Sequence, residues 1–266
     1  MPAPTNGTRS VQIDIFPSAR EAGIHAAQEG AQRIGAALAE RGRAAVILAT
    51  GASQFDMLAE LVTLPGIDWK RVDLFHLDEY VGISETHRAS FVGYLKKRFL
   101  EKVGPVGSFT FIKGDQADTE AEIARINGAI AETPIDVAFV GIGENGHLAF
   151  NDPPADFDID VPYLEVTLDD KCRQQQAGEG WFANMEAVPE KAISMSIRQI
   201  MKSRAIICTV PDRRKAEAVV KVVEGPVSNR VPASILQQHG QAMLFLDTES
   251  ASLLDRERLE HRQVML

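Results

Sequence analysis

The stretch of this sequence with the clearest chemical character is residues 141–147, a glycine-rich turn that follows an apolar run and ends on His147. Glycines let the backbone turn sharply and approach a ligand closely. Imidazole is the side chain best suited to proton transfer near neutral pH, and the nearby Asp152 supplies a carboxylate that can orient the ring. A histidine in a loop is usually structural, but the glycines and the acidic neighbour favour an acid–base role for His147.

A pair of adjacent carboxylates, Asp78 and Glu79, follows a second apolar run at residues 72–77. Burial at the end of a strand would raise the pKa of one of them into the range where a carboxylate acts as a general base. A solvated acidic turn explains the pair equally well. We interpret His76, which lies just before them, as a core histidine with satisfied hydrogen bonds rather than as a catalyst.

A turn of small residues after the apolar run 44–49 predicts a site for a phosphate group; it consists of Thr50, Gly51, Ala52 and Ser53. Small side chains expose backbone N–H groups, hydroxyls add further donors, and the start of a helix favours negative charge. An ordinary turn with Ser53 as the helix N-cap is the alternative. The segment matches neither the P-loop nor the dinucleotide-binding glycine pattern.

A second candidate for anion binding is Lys215, which follows the apolar run 205–210 in the first turn of a predicted helix with Asp212 as its N-cap. A cation is unfavourable at the N-terminus of a helix, and a bound anion would remove the conflict. A solvated basic surface is the alternative interpretation of this turn.

The elements that must position these loops are short apolar strands that alternate with helices. Such strands are predicted at 11–16, 44–49, 72–77, 135–142, 205–210 and 242–246, and helical patterns at 18–42, 53–63, 87–102, 119–132 and 212–224. Capping boxes are predicted at Ser18 with Glu21 and at Thr119 with Glu122. The alternation predicts an α/β fold: a doubly wound, mainly parallel sheet with helices on both faces, in the three-layer Rossmann-like arrangement. In such sheets ligands bind at the carboxyl ends of the strands, where all four loops lie.

We predict a single domain over residues 11–266, preceded by a flexible leader at 1–10. No internal repeat, low-complexity stretch or long linker divides the chain. Residues 152–190 interrupt the alternation of strands and helices with few long apolar runs, and we predict that they form a lid or excursion over the site.

The composition limits the classes of protein to which this chain of 266 residues belongs. A formal net charge of −9 argues against nucleic-acid binding, which depends on clustered cations. The two cysteines, Cys172 and Cys208, form neither a CxxC pair nor a disulfide framework, which is typical of a reducing compartment. The N-terminus lacks the pattern of a signal peptide, and no apolar run approaches the roughly 18 residues of a membrane span. We therefore expect a cytoplasmic protein without a membrane partner.

Together these motifs resemble those of the glucosamine-6-phosphate deaminase/isomerase family. The matching stretches are ATGAS at 49–53, LDEYVG at 77–82, GIGENGHLAFNDP at 141–153, a lysine before an alanine-rich helix at 215–218, and PASILQQH at 232–239. They occur in the order found in the family and span most of the chain. The combination of DEYVG with the GxGxxGHxAFN pattern is specific.

The resemblance implies that Asp78 moves a proton between C2 and C1 of a sugar and that His147 opens the pyranose ring. Asn145 and Asp152 match the positions that orient and tune this histidine. The implied reaction converts an amino-sugar phosphate and water to fructose 6-phosphate and ammonia, without a metal or a nucleotide cofactor. The family's phosphate site matches Thr50, Gly51, Ala52, Ser53 and Lys215. Assembly into a homo-oligomer is compatible with this description.

The chain departs from the family pattern at several of these positions. Asn145 stands where the family often has aspartate, Asp152 stands where it usually has glutamate, and the phosphate loop reads TGASQ instead of TGGTP. An amide can still hydrogen-bond His147 but cannot stabilise its cation by charge. Gly180 stands where the family places a phosphate-binding arginine before an aromatic pair. The candidates to replace this arginine are Arg173, Gln175 and Arg198. The stretch after Asn151 also lacks the family's allosteric residues, so we expect no activation of that kind.

Two other functions are compatible with parts of this pattern. A 6-phosphogluconolactonase shares the fold and a similar histidine turn, but SLFP typically follows there, where this chain has AFNDP. A sugar-phosphate sensor that reuses the fold would need an N-terminal DNA-binding module and would need neither Asp78 nor His147. The identity of the amino-sugar phosphate is left open.

Overall fold

The predicted apolar strands form a parallel sheet in which most of their side chains are buried. The computed structural model describes residues 11–255 and the backbone of residues 264 and 265, so the predicted leader at 1–10 lies outside the described residues. The strands of this described part are β1 (Gln12–Phe16), β2 (Ala44–Leu48), β3 (Val72–His76), β4 (Asp78–Tyr80), β5 (Ser108–Thr110), β6 (Val137–Val140), β7 (Tyr163–Thr167), β8 (Lys191–Met195), β9 (Ala205–Val210), β10 (Ala242–Asp247) and β11 (Val264–Met265).

Eight of these strands form the main sheet in the order β11-β1-β10-β9-β6-β2-β3-β5, and every described pair is parallel. Each of the apolar runs predicted as a strand lies in this sheet. The predicted mainly parallel sheet is therefore confirmed. From β2 the chain adds β3 and β5 on one side, and from β6 it adds β9 and β10 on the other side. The loops after β2 and β6 therefore lie beside one another at this switch point.

Helices cover both faces of the sheet, as the sequence predicts. They are α1 (Ala19–Arg41), α2 (Phe55–Leu61), α3 (Phe91–Leu95), α4 (Glu101–Val103), α5 (Thr119–Ile130), α6 (Asp170–Gly178), α7 (Ile197–Met201) and α8 (Ala216–Glu224), with a π-helical turn at Lys96–Leu100 joining α3 to α4. Buried side chains of α1, α2 and α3 pack in one core cluster with Val46 and Ile207. Those of α5, α7 and α8 pack in another with Ile47 and Ile206. Alternate residues of one strand thus enter opposite cores.

The capping predictions were correct at one helix and wrong at the other. The Ser18 hydroxyl accepts the Glu21 N–H at 3.2 Å and begins α1. Asp118, not Thr119, caps α5, because its carboxylate accepts the Ala121 N–H at 2.9 Å. A carboxylate at the N-cap stabilises the exposed N–H groups and the positive end of the helix together.

Residues 152–190 contain β7 and α6 and contribute to a second, smaller sheet. This sheet is antiparallel and has the order β4-β8-β7. A third core cluster lies beside it and includes Tyr80, Phe150, Cys172 and Phe182. The segment is therefore packed against the rest of the chain, and its role as a lid stays a prediction.

Across residues 11–255, none of the helices combines the length and the apolar character needed to cross a membrane. The longest helix, α1, carries charged residues along its length.

Candidate active site

A pocket of about 380 Å³ opens at the carboxyl ends of β2, β3, β6 and β9. The four loops identified in the sequence all line it. Among the predicted site residues, those that line it are Thr50, Gly51, Ala52, Ser53, Asp78, His147 and Lys215. Asn145 and Asp152 lie behind His147 and do not line this pocket.

Asp78 is the only member of the adjacent carboxylate pair that lines the pocket. It is 7 % exposed, and burial together with the negative charge of Glu79 raises the pKa of Asp78 to about 8. Glu79 faces the protein, where its carboxylate accepts N–H groups from Tyr80 and Val92 at 2.9 and 2.8 Å and the Ser90 hydroxyl at 2.9 Å. The solvated acidic turn is therefore excluded, and the two carboxylates have different environments.

The imidazole of His147 is held by a short chain of hydrogen bonds. Its Nδ1 lies 3.0 Å from Oδ1 of Asp152, which also accepts an N–H from the Asn145 amide at 2.8 Å. The Asp169 N–H donates to the other Asp152 oxygen at 2.9 Å. Burial alone would raise the pKa of Asp152, but hydrogen bonds from His147, Asn145 and the Asp169 backbone outweigh burial and lower it. A carboxylate acceptor favours a proton on Nδ1, which leaves the Nε2 lone pair available to a ligand.

Asn145 holds the histidine loop as well as the carboxylate. Its side-chain oxygen accepts the His147 N–H at 3.0 Å, and its amide also donates to Asp169 at 3.1 Å. The ring of His147 lies directly against Gly143, where an added Cβ would be 2.3 Å from the imidazole carbon and nitrogen. A residue other than glycine at 143 would therefore displace the ring. This close approach is the reason for the glycine.

The turn at Thr50–Ser53 lines the pocket along its whole length. Ser53 lies in the 3₁₀ turn Ala52–Gln54 and does not cap α2, so the predicted capping alternative is wrong. The buried Gln54 amide donates to the Ser53 hydroxyl at 3.1 Å and to the Val140 carbonyl at 3.3 Å. Gln54 thereby joins this turn to the end of β6.

Lys215 is buried rather than solvated, which excludes the basic-surface interpretation. It ends the 3₁₀ turn Arg213–Lys215 and is 7 % exposed. Burial lowers the pKa of Lys215, although the charges of Glu179 and Glu144 oppose the shift. Within residues 11–255 its ammonium makes no hydrogen bond and no ion pair within 4.0 Å. An unpaired buried ammonium at a pocket wall is the arrangement that an anionic ligand completes.

Asp212, as predicted, caps the turn that carries Lys215. Its carboxylate accepts the Arg214 N–H at 3.0 Å. The backbone φ of Asp212 is +88°, a conformation that residues other than glycine rarely adopt. Two hydrogen bonds from its N–H to the Asp247 carboxylate hold this conformation. Local strain of this kind is common where a loop positions a functional side chain.

Of the three candidates for the missing arginine, only Gln175 lines the pocket. Arg173 instead donates to the Met185 and Val188 carbonyls at 3.1 Å, and Arg198 pairs with Asp160 at 2.9 Å. Several other lining residues were not predicted, among them Gln176, Glu179 and Arg214. Arg214 was visible in the sequence only as part of a basic turn. Gln176 lies on α6 in the irregular segment, and Glu179 directly follows this helix.

His76 lies in the core, as predicted, but the prediction that its hydrogen bonds are satisfied is wrong. It is fully buried, and neither ring nitrogen has a partner among the described residues. Burial lowers the pKa of His76 to about 3, so the ring is neutral at physiological pH. The backbone carbonyl of His76 accepts the Tyr163 hydroxyl at 2.7 Å, which ties β3 to β7.

The buried charge at Asp78 predicts a measurable gain in stability for Asp78→Asn. Because the folded pKa lies above the unfolded value, the wild type is most stable relative to the variant below about pH 4 and loses that stability as pH rises toward 8. We expect the variant to gain on the order of 2 kcal/mol in free energy of unfolding at pH 8 and little at pH 4. Urea unfolding at several pH values measures this difference. Asp115→Asn, at an exposed aspartate, is the control, and a gain at Asp78 that did not grow with pH would contradict the assignment.

Comparison with known proteins shows which enzymes this chain resembles. A family model described as glucosamine-6-phosphate isomerases/6-phosphogluconolactonase matches residues 17–245. A glucosamine-6-phosphate deaminase of Listeria innocua is 39 % identical over 207 residues, which are 78 % of this chain and 86 % of the relative. That of Oenococcus oeni is 33 % identical over 246 residues, 92 % of this chain and all of the relative.

Solved structures show the same architecture. A monomeric glucosamine-6-phosphate deaminase superposes with a TM-score of 0.82 at 30 % identity, over 92 % of this chain and all of that one. A 6-phosphogluconolactonase from Trypanosoma cruzi superposes with a TM-score of 0.76 at 13 % identity, over 93 % of this chain and 98 % of that one. At that identity the second similarity shows the fold alone.

Proposed function

Because the chain belongs to the glucosamine-6-phosphate isomerase/6-phosphogluconolactonase family, we propose that it is a glucosamine-6-phosphate deaminase. It converts an amino-sugar 6-phosphate and water to fructose 6-phosphate and ammonia. The observation that carries this proposal is that Asp78 and His147 line one pocket with the unpaired ammonium of Lys215. A general base, a ring-opening acid–base group and an anion site are the three components that the reaction needs.

The first step assigned to the site is opening of the pyranose ring. His147 Nε2 takes the proton of the C1 hydroxyl while the C1–O5 bond breaks, and the proton then passes to O5 to give an open-chain aldehyde. Asp152 and Asn145 fix the ring and its tautomer from the opposite side. The carboxylate of Asp152 stabilises the transient imidazolium, which the amide of Asn145 cannot do by charge.

The second step is proton transfer between neighbouring carbons. The Asp78 carboxylate takes the C2 proton, which gives an enol-type intermediate, and then returns a proton to C1. The resulting imine at C2 is hydrolysed by water to a ketone and ammonia. A pKa of about 8 makes Asp78 a stronger base than an exposed aspartate once it has lost its proton.

The phosphate of the substrate lies, in this proposal, between Lys215 and the turn Thr50–Ser53. Lys215 supplies the charge, and Gly51 and Ala52 expose backbone N–H groups. Gln175, Glu179 and Arg214 line the remaining wall and are the candidates to contact the sugar. Removal of the phosphate would leave the Lys215 ammonium without a partner.

The lactonase and the non-catalytic sensor are supported by fewer observations than the deaminase. The solved lactonases share the fold at 13–19 % identity, whereas the deaminases are 30–39 % identical over most of the chain. A sensor without catalysis has no use for a buried base beside an oriented histidine. Neither alternative explains the combination of Asp78 with His147.

We also propose that the enzyme acts in the cytoplasm, in the catabolism of N-acetylglucosamine, on a small-molecule substrate rather than on nucleic acid. Two buried free cysteines and the net charge of −9 support this setting. Sedimentation velocity of the purified chain tests whether it forms a homo-oligomer.

A substrate screen tests the function directly. Purified protein should release ammonia and form a ketose phosphate from glucosamine 6-phosphate or a close epimer, in the presence of EDTA and without an added cofactor. The reference reactions are the same sugars without phosphate and 6-phosphogluconolactone. Hydrolysis of the lactone without ammonia release from any amino sugar would replace this proposal with the lactonase.

Lys215→Ala should raise KM for the phosphorylated sugar by about tenfold to a hundredfold. A charge-assisted hydrogen bond typically contributes about 1.5–3 kcal/mol, and this variant removes the charge while leaving Asp78 and His147 in place. The kinetics of the non-phosphorylated sugar should change little. Lys202→Ala, at an exposed lysine, is the charge-matched control. A wild-type KM in Lys215→Ala would disprove the anion site.

A further inference from the structure

Three side chains with different metal-binding atoms converge behind the pocket: His147, Asp152 and Cys172. An imidazole nitrogen, a carboxylate oxygen and the thiol sulfur all lie within 4.8 Å of one another, and the first two are 3.0 Å apart. Cys172 lies on α6 and takes no part in the proposed reaction. We propose that this His147–Asp152–Cys172 triad is an inhibitory binding site for Zn²⁺ or another thiophilic divalent ion, which regulates the enzyme described above and in that respect rests on the proposed function.

The set of donor atoms is the kind that selects zinc. Nitrogen, oxygen and sulfur ligands bind Zn²⁺ at about 2.0–2.3 Å in tetrahedral geometry, which places neighbouring donor atoms roughly 3.3–3.7 Å apart. Atoms that now lie within 4.8 Å of one another reach that spacing with movements on the order of 1 Å. The fourth position is then left for water or a substrate oxygen, as in zinc sites with three protein ligands.

The surroundings of the triad favour a cation. The Asp169 carboxylate accepts the Cys172 N–H at 2.6 Å and the Asn145 amide at 3.1 Å, so it lies beside the ligands. Burial and the nearby charges of Asp152 and Asp169 raise the pKa of the Cys172 thiol, so the empty site holds a neutral thiol. Metal binding releases the proton on sulfur to solvent, and the neutral imidazole binds through Nδ1 after its single proton has moved to Nε2, where it blocks the lone pair.

The second cysteine provides a natural contrast. Cys208 lies in the middle of β9 and is also fully buried, but the only cause that raises its pKa is burial. Its neighbours in the core are apolar, such as Val140 and Leu244. The two cysteines therefore share burial and differ in whether a histidine and a carboxylate accompany the thiol. This difference makes Cys208 a matched control.

Occupation of the triad would stop ring opening without blocking phosphate binding. A metal ion on Nδ1 removes the hydrogen bond with which Asp152 orients His147, and it fixes the ring through a bond to the ion. Lys215 and the turn Thr50–Ser53 are untouched. The expected inhibition therefore lowers kcat and leaves KM nearly unchanged.

Titration with Co²⁺ tests the site independently of turnover. EDTA-treated and desalted wild-type protein should bind one Co²⁺ per chain, with a sulfur-to-cobalt charge-transfer band in the near ultraviolet and the intense visible absorption of a tetrahedral site. Cys208→Ala should give the same spectrum, and Cys172→Ala should lose the charge-transfer band. The absence of the band in wild type, or its persistence in Cys172→Ala, would overturn the proposal.

Inhibition by Zn²⁺ supplies the second measurement. Micromolar Zn²⁺ should reduce ammonia release by the wild type and by Cys208→Ala at least tenfold, with recovery on addition of EDTA. Cys172→Ala should keep its activity at the same Zn²⁺ concentration; Cys172→Ser serves if the alanine variant does not fold. Equal inhibition of a folded Cys172 variant would refute the regulatory role. A protein that shows the cobalt band but releases no ammonia would contradict the proposed function and leave the metal site standing.

Discussion

Replacing Asp78 by asparagine should lower kcat for deamination by roughly 10²–10⁴-fold with little change in KM. Asparagine keeps the shape of the side chain and can still form hydrogen bonds, but it cannot accept the proton of C2. Asp78 is the only carboxylate of the adjacent pair that lines the pocket, so Glu79 cannot take over its role. The phosphate site is not altered by this change, which is why affinity for the sugar phosphate should persist.

Solvent-deuterium exchange into fructose 6-phosphate measures the proton-transfer step itself. In wild type, deuterium should enter at C1, next to the carbonyl, and in Asp78→Asn this exchange should fall by the same factor as kcat. Glu79→Gln is the informative control, because the Glu79 carboxylate faces the backbone of Tyr80 and Val92. The Glu79→Gln variant should retain exchange. The acidic limb of its pH profile should lie at lower pH than in wild type, because the variant lacks the Glu79 charge that raises the pKa of Asp78. If Asp78→Asn exchanged deuterium at the wild-type rate, the assignment of Asp78 as the base would be wrong.

A second large loss is expected for His147→Gln, but in a different step. Glutamine can hydrogen-bond Asp152 in place of the imidazole, yet it cannot carry a proton between the C1 hydroxyl and O5. We expect kcat from the closed ring to fall by roughly 10²–10⁴-fold. An inhibitor fixed in the open-chain form should still bind the variant about as well as it binds wild type, because Asp78, Lys215 and the phosphate turn are unchanged.

The pattern across both variants is more informative than either loss alone. His147→Gln should keep deuterium exchange into the open-chain fraction of fructose 6-phosphate, whereas Asp78→Asn should not. His25→Gln, at an exposed histidine that stacks on Phe16 and does not line the pocket, controls for the loss of an imidazole. If His147→Gln lost open-chain exchange and closed-ring turnover to the same extent, the separation of the two steps would be wrong.

The sequence predicted the sheet and its loops because both depend on local signals. Uninterrupted apolar runs such as 44–49 and 205–210 are long enough for strands and are bounded by turn residues, so their positions were correct within one or two residues. The rule that ligands bind at the carboxyl ends of parallel strands then brought Asp78, His147 and Lys215 to one pocket.

The residues that the sequence did not predict lie where periodicity is weak. Gln175 and Gln176 line the pocket from α6, and Glu179 lines it directly after the end of this helix. This short polar helix lies inside the segment that breaks the alternation of strands and helices. The position of Cys172 behind His147 depends on how this helix packs, which no local pattern specifies. The sequence pattern placed the N-cap of α5 at Thr119 instead of Asp118, because adjacent residues can cap the same N–H groups and a local pattern does not decide between them.

The amide of Gln54 has a consequence for the length of the molecules that fit. It ties the turn after β2 to the end of β6, and β2 lies between β3 and β6 in the sheet. The proposed anion site at Thr50–Ser53, the proposed base Asp78 and His147 thus follow three neighbouring strands, whose spacing of about 4.8 Å is set by main-chain hydrogen bonds. In the proposed function, this spacing sets the distance between the phosphate group and the reacting carbons of the substrate. With the phosphate held as proposed, we expect a five-carbon amino-sugar phosphate to be a poor substrate, because its reacting carbons would not reach Asp78 and His147.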